Sequence, residues 1–179
     1  MKKLSLIALM MAFALVSQTA CAQKFAPLDK SPLDISYYPY TSSMEGKAPL
    51  IKVIYSRPAK SGREIFGKLE KFGEVWRAGA NEETEIRFYK DVTIGGKLIP
   101  AGTYSFFIIP ELTTWTFIIN KQTDHWGAYS YDKNLDVVRV KVPVKAAASE
   151  IENFSIAFSE SATLIAGWDK TIAELPIKL

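Results

Sequence analysis

From Leu50 onward, apolar and polar residues alternate with a period of two along most of the chain, which is the pattern of strands with one buried face. Leu50 to Tyr55 reads as a strand, and Thr84, Ile86 and Phe88 alternate with Glu85, Arg87 and Tyr89 in the next. Val92 to Ile94 and Lys97 to Ile99 flank Gly95-Gly96, a two-residue turn that needs positive φ, so this stretch predicts a tight hairpin. Turns at Pro100-Ala101-Gly102 and at Pro110 to Thr113 bound strands over Thr103 to Ile109 and Thr114 to Asn120. Val138, Val140, Val142 and Val144 share one face of a later strand. Phe154, Ile156 and Phe158 alternate with Ser155, Ala157 and Ser159, and Ala162, Leu164, Ala166 and Trp168 line one side of another. A last strand runs from Thr171 towards Ile177. Helix is expected at most as a turn or two within Glu64 to Val75, where Gly67 and Gly73 oppose it.

Many short strands at even spacing predict an all-β fold, an antiparallel β-sandwich of jelly-roll or immunoglobulin-like outline over residues 50–179. Residues 23–49 read as an N-terminal arm with several prolines and room for one edge strand.

The first 22 residues have a different character. Lys2 and Lys3 precede an apolar run from Leu4 to Val16, then Ser17-Gln18-Thr19 and the small-x-small site Ala20-Cys21-Ala22. This is the layout of a secretory signal peptide, and the apolar run is too short for a permanent membrane helix. Cleavage after Ala22 is the favoured reading, placing the protein in the periplasm or outside the cell. A lipid anchor on Cys21 is the alternative, against which Gln18 speaks. Losing Lys2 and Lys3 removes two of the three net positive charges, and cleavage after Ala22 removes the chain's one cysteine. The nearly neutral remainder has no electrostatic case for nucleic acid.

One stretch breaks the strand pattern. Tyr55-Ser56-Arg57-Pro58, Gly62-Arg63-Glu64-Ile65-Phe66-Gly67 and Val75-Trp76-Arg77-Ala78-Gly79-Ala80-Asn81-Glu82 mix arginines, a Trp, an Asn and acids among glycines. Such a mixture suits a fixed loop that presents donors and acceptors. Arg57, Arg63 and Arg77 can each clamp a carboxylate, phosphate or sugar, because the guanidinium fork matches planar acceptors. For each, the competing reading is an ion pair that ties the loop down, with Glu64, Glu82 or Glu83 as partner for Arg57. Arg57 and Arg77 are expected to converge near Asn81 and Glu82 at one end of the sandwich, Arg57 mainly structural and Arg77 facing the ligand. Asn81 offers a donor and an acceptor to a ligand or to its own loop. Trp76, between Val75 and Ala78, reads as core. His125-Trp126-Gly127-Ala128-Tyr129 forms a second constellation, in which Trp126 and Tyr129 are either a stacking shelf or a cap on the core. Glu82 and His125 are the candidates for catalytic acid or base.

Much chemistry is excluded. With His125 the sole histidine and no cysteine in the mature chain, the usual zinc and two-histidine iron sites cannot form. There is no phosphate-cradling Gly-Lys-Ser/Thr loop, no G-x-G-x-x-G and no G-x-S-x-G, so no cofactor is expected. Asp132, Asn134 and Asp136 have the alternate spacing of a calcium loop, but Val137 stands where Gly is needed and Pro143 where Glu is needed.

The loop motifs, together with Gly95-Gly96-Lys97, Pro100-Ala101-Gly102-Thr103-Tyr104-Ser105, Trp115, Asn120, Trp126-Gly127-Ala128-Tyr129 and Trp168, resemble the signature of domain of unknown function 2911 over roughly Leu50 to Ile177. The resemblance implies an exported bacterial protein, Bacteroidetes-like, and carries over no activity and no catalytic residue. Two functional readings stand. One is a cell-envelope domain that binds a glycan, peptide or acidic metabolite through Arg57, Arg63, Arg77, Asn81, Trp126 and Tyr129. The other is a metal-free hydrolase or isomerase with Glu82 or His125 as acid or base.

Overall fold

The structure, a computed structural model, describes residues 24–42 and 44–179. The segment read as a signal peptide, Cys21 included, lies outside the described residues. Nine strands run through the described part: β1 (Leu33–Tyr38), β2 (Ile51–Ser56), β3 (Thr84–Phe88), β4 (Val92–Ile94), β5 (Lys97–Ile99), β6 (Gly102–Pro110), β7 (Thr114–Asn120), β8 (Asp136–Phe158) and β9 (Thr163–Lys178). All pair antiparallel, in the order β1-β2-β3-β6-β7-β8-β9-β4-β5. The all-β expectation is met. Short 3-10 turns at Tyr40–Ser42 and Lys133–Leu135 are the helical elements among the described residues, so Glu64 to Val75 holds turns instead of helix.

Period-two burial explains the strands. In β3, Thr84, Ile86 and Phe88 are buried, while Glu85 and Arg87 are not. Gly95 and Gly96 take φ of +58° and +80° and close the β4–β5 hairpin. Gly95 also sits where a Cβ would come within 2.7 Å of Val140, so the hairpin lies directly on β8.

β8 turns the sheet into a sandwich. Its first part pairs with β7 from Asp136 to Pro143, and its second part pairs with β9 from Val144 to Phe158. Sequence periodicity predicts two strands here and two more over 162–177. Instead β8 and β9 each run unbroken. Ala146 pairs with Thr171 and Ile151 with Asp169, so the extra residues of the Ala-rich stretch are absorbed as a bulge rather than a turn. The two halves face each other across an aromatic core. Trp168 of β9 stacks on Trp76 at 5.7 Å and 19°, Tyr55 of β2 meets Phe154 of β8 edge-on at 5.8 Å, and Phe66 packs on Trp115 of β7 at 4.9 Å. Trp115, Trp168, Phe106, Phe117 and Phe154 are fully buried, as their alternate positions require.

At the edge of the sheet, β1 pairs with β2 from Leu33↔Ser56 to Tyr38↔Ile51. Among the described residues no helix is long and apolar enough to cross a membrane.

Candidate functional site

The connection from β2 to β3, residues 57–83, contains no regular strand, yet it is pinned at several points. Trp76 forms a two-bond bridge with Ile108 of β6 (2.8 and 2.9 Å) and donates from its indole Nε1 to the Gly79 carbonyl at 3.1 Å. It is a core residue, packed between Trp168 and Phe154. Beyond it the chain turns tightly. Ala78 and Asn81 adopt left-handed φ of +53° and +64°. Thr84 locks the turn, donating its hydroxyl to the Ala78 carbonyl (2.6 Å) and its amide to the Arg77 carbonyl (3.1 Å). Gly79 is required by a close approach, since a Cβ there would lie 2.9 Å from the Ser56 carbonyl oxygen.

This turn fixes Arg77. Its Nη1 donates to the Asn81 carbonyl at 2.5 Å, and its Cζ lies 5.4 Å from the centre of the Tyr129 ring. Gly127, at φ +71°, packs directly against the guanidinium, where a Cβ would stand 2.8 Å from Cζ. Three separate contacts therefore hold one cation. Arg77 lines a cavity of about 580 Å³ beside the connection.

Trp76 and Trp168, both almost wholly covered, line that cavity with Arg63, Glu70, Glu74, Asn81, Tyr129 and Arg77. Arg63 is held by its own turn, through the Lys60 carbonyl (3.0 Å) and the Ala59 carbonyl (2.5 Å). Glu74 pairs with Lys71 at 3.4 Å on the surface. Glu70 is different. Burial pushes its carboxyl up to about 7, against the pull of the nearby Arg77 and Arg63 charges. Its backbone is tied to Ile65 (3.0 Å) and Gly67 (2.8 Å), and its carboxyl has no hydrogen-bond or ion-pair partner among the described residues.

The other singled-out residues lie elsewhere. Arg57 lines neither this cavity nor its neighbour. Its guanidinium is spent on Asp34 of β1 (2.8 Å), the Ser155 hydroxyl (2.7 Å) and the Phe154 carbonyl (3.2 Å), joining β1 to β8. The partner acid is thus Asp34, and not Glu64, Glu82 or Glu83. Glu82 bridges to Trp126 and lines a second cavity of about 490 Å³ with Glu83, Glu85, Asp124, His125 and Trp126. There Glu83 accepts the His125 amide on both carboxylate oxygens (2.9 and 2.8 Å). The expected meeting of Arg57, Arg77 and Glu82 does not occur. Asn81 and Tyr129 face the arginine cavity, while Glu82, His125 and Trp126 face the acidic one. Tyr129 (83% exposed) and Trp126 (60%) stand at the rims rather than in the core.

Sequence reasoning missed Glu70. It stands in an aperiodic stretch between Leu69 and Lys71, and no local pattern indicates that its carboxyl turns inward. Among the described residues no group of three or more His, Cys, Asp or Glu could hold a metal ion. Asp136 of the calcium-like run accepts instead from Tyr131, Asn120 and Arg139.

Fold and cavity together define an all-β sandwich domain with a polar, arginine-bearing cleft beside one long connection. The chain belongs to the family described as Protein of unknown function (DUF2911), whose model matches residues 40–177. No curated protein and no solved structure matches it.

Proposed function

We propose that this protein is an exported cell-envelope domain that binds a small polar anion, such as an acidic sugar, peptide or metabolite, in the Arg63–Arg77 cavity. The leader Lys2-Lys3 with its apolar run supports export. The observation that carries the binding reading is the clamping of Arg77 by Asn81, Gly127 and Tyr129. A guanidinium fixed in advance loses little freedom on capturing an anion, so more of the interaction shows as affinity. The cavity has the volume of small-ligand sites, and its lining is largely polar, as a small anion requires. Asn81 adds a side-chain amide that can meet a hydroxyl or carboxylate.

The alternative, a metal-free hydrolase or isomerase, has one observation behind it: Glu82 and His125 line the same second cavity. No arginine lines that cavity, so the group that would hold an anionic substrate there is missing, and binding is the better supported reading.

A thermal-shift panel on the full chain tests it, because a ligand that binds only the folded state raises its melting temperature. D-glucuronate, citrate and inorganic phosphate are expected to raise it, and neutral glucose is not. Arg77→Ala should abolish the response, and Arg77→Lys should weaken it, since a point charge cannot replace a fork. An Arg77→Ala response equal to wild type would remove the cavity from consideration.

A further inference from the structure

The Glu70 carboxyl has no hydrogen-bond or ion-pair partner among the described residues, yet Glu70 lines the arginine cavity. Two cations flank it, Arg77 and then Arg63, and neither comes within ion-pairing distance. Arg77 is turned towards the Asn81 carbonyl and the Tyr129 ring, and Arg63 towards the Ala59 and Lys60 carbonyls of its own turn. The other charged group lining the cavity, Glu74, is paired with Lys71 at the surface. An ionised carboxylate sharing the cavity with two held guanidinium groups would compete with any incoming anion. A neutral carboxyl at the same place would do the opposite, because it supplies a hydrogen-bond donor beside the two cations.

Resting on the anion-binding reading, we propose that Glu70 is the proton-linked ligand contact of this cavity: it takes one proton from solvent as a carboxylate ligand binds, and donates it in a hydrogen bond to a ligand oxygen. No covalent bond of the ligand forms or breaks. The proton stays on the Glu70 oxygen, shared with the ligand carboxylate, and the pair carries a single negative charge facing Arg63 and Arg77. A ligand carboxylate held close to the Glu70 carboxylate disfavours the second negative charge, so proton uptake accompanies ligand binding. Burial of the Glu70 carboxyl in the cavity wall, with no hydrogen-bond partner among the described residues, makes its neutral form accessible near neutral pH. The ligand class follows: a small carboxylate, favoured over a ligand of equal size whose anionic group is replaced by a hydroxyl.

Isothermal titration calorimetry of the full chain with D-glucuronate tests this. The glucuronate carboxyl stays ionised across the range used, whereas phosphate titrates within it and would confuse the count. At pH 8, apparent enthalpies in two buffers of different ionisation enthalpy should differ by an amount that reports close to one proton taken up per ligand. Affinity should fall about tenfold between pH 6 and pH 8. Glu70→Gln, neutral at all pH and still a donor, should bind with pH-independent affinity near that of wild type at pH 6, with no proton uptake. His125→Gln should keep the wild-type profile, because His125 lines the other cavity. Binding that depends on Arg77 but takes up no proton would overturn the role of Glu70 and leave the binding reading intact. Failure of glucuronate to bind at any pH, with Arg77→Ala indistinguishable from wild type in the thermal panel, would overturn both. The wild-type proton count needs no variant to fold.

Discussion

Gly127 and Arg77 are in direct contact: the glycine's bare Cα faces the guanidinium, and a methyl there would stand 2.8 Å from Cζ and 2.9 Å from both Nη atoms. The glycine also holds φ +71°, a conformation that L side chains rarely adopt. Position 127 is therefore constrained twice, once by the backbone and once by the cation it covers.

Gly127→Ala should accordingly act on stability and on binding together. The left-handed φ alone should cost about 1 kcal/mol. The methyl must also push Arg77 off the Asn81 carbonyl or away from Tyr129. Chemical denaturation should show the loss of stability, and glucuronate affinity should drop at least severalfold. An alanine variant with wild-type affinity would mean that the clamp on Arg77 does not set binding.

Arg57 and Arg77 should separate cleanly. Arg57 makes three hydrogen bonds joining β1 to β8, and its pair with Asp34 is partly exposed on both sides. Exposed ion pairs contribute little, so the loss in Arg57→Ala should come mainly from the Ser155 and Phe154 bonds, about 1–2 kcal/mol in all. Glucuronate binding should be unchanged. Arg77→Ala should lose binding outright, with a stability loss of about 1–2 kcal/mol from the Asn81 bond and the Tyr129 contact. A denaturant midpoint paired with calorimetry on each variant reads both quantities.

Trp168→Ala tests the core. The ring is fully buried, stacks on Trp76 and donates from Nε1 to the Glu152 carbonyl at 3.0 Å. Removing it should cost about 3–5 kcal/mol, seen as a lower denaturant midpoint with little change in slope. An unchanged midpoint would contradict the packing between the two halves of the sandwich.

Much of this architecture is legible in the sequence because β-strands announce themselves by alternation. Ile86 and Phe88 can face only one way once Arg87 faces the other, and Gly95-Gly96 admits little besides a hairpin. Where sequence and structure part, the deciding contact is remote or the pattern is locally silent. Ala146 to Glu150 reads as a strand break because small and polar residues carry no period, yet a bulge keeps β8 paired through it. Arg57 has several acids close to it in sequence, while its partner Asp34 comes from the edge strand paired beside it. For the site, residue types in the 57–82 loop and at 126–129 point to the right neighbourhood, but not to its division into two cavities. That division depends on the Glu82–Trp126 bridge, a pairing between loops that alternation does not encode. Glu70 is invisible in the sequence because desolvation is a property of the folded surroundings and not of the residue.

Glu70 also makes stability depend on pH, with a definite sign. An ordinary glutamate titrates at 4.5, and burial raises this one to about 7 in the folded protein. Between those values the folded chain holds a proton on Glu70 that the unfolded chain has released. Stability from this group is therefore complete below about pH 4.5 and is lost as pH rises through about 7. Each pH unit between the two values is worth about 1.4 kcal/mol, so the whole effect is bounded at about 3 kcal/mol, and partial solvent access reduces it further. Comparison with Glu70→Gln isolates it from every other titrating group. Urea unfolding at pH 5, 6, 7 and 8 should show the stability of wild type falling relative to that of Glu70→Gln as pH rises, with the gap levelling off above pH 7. Parallel stability curves for the two proteins across this range would show that Glu70 titrates as an ordinary surface carboxylate, and the desolvated position of its carboxyl would then be wrong.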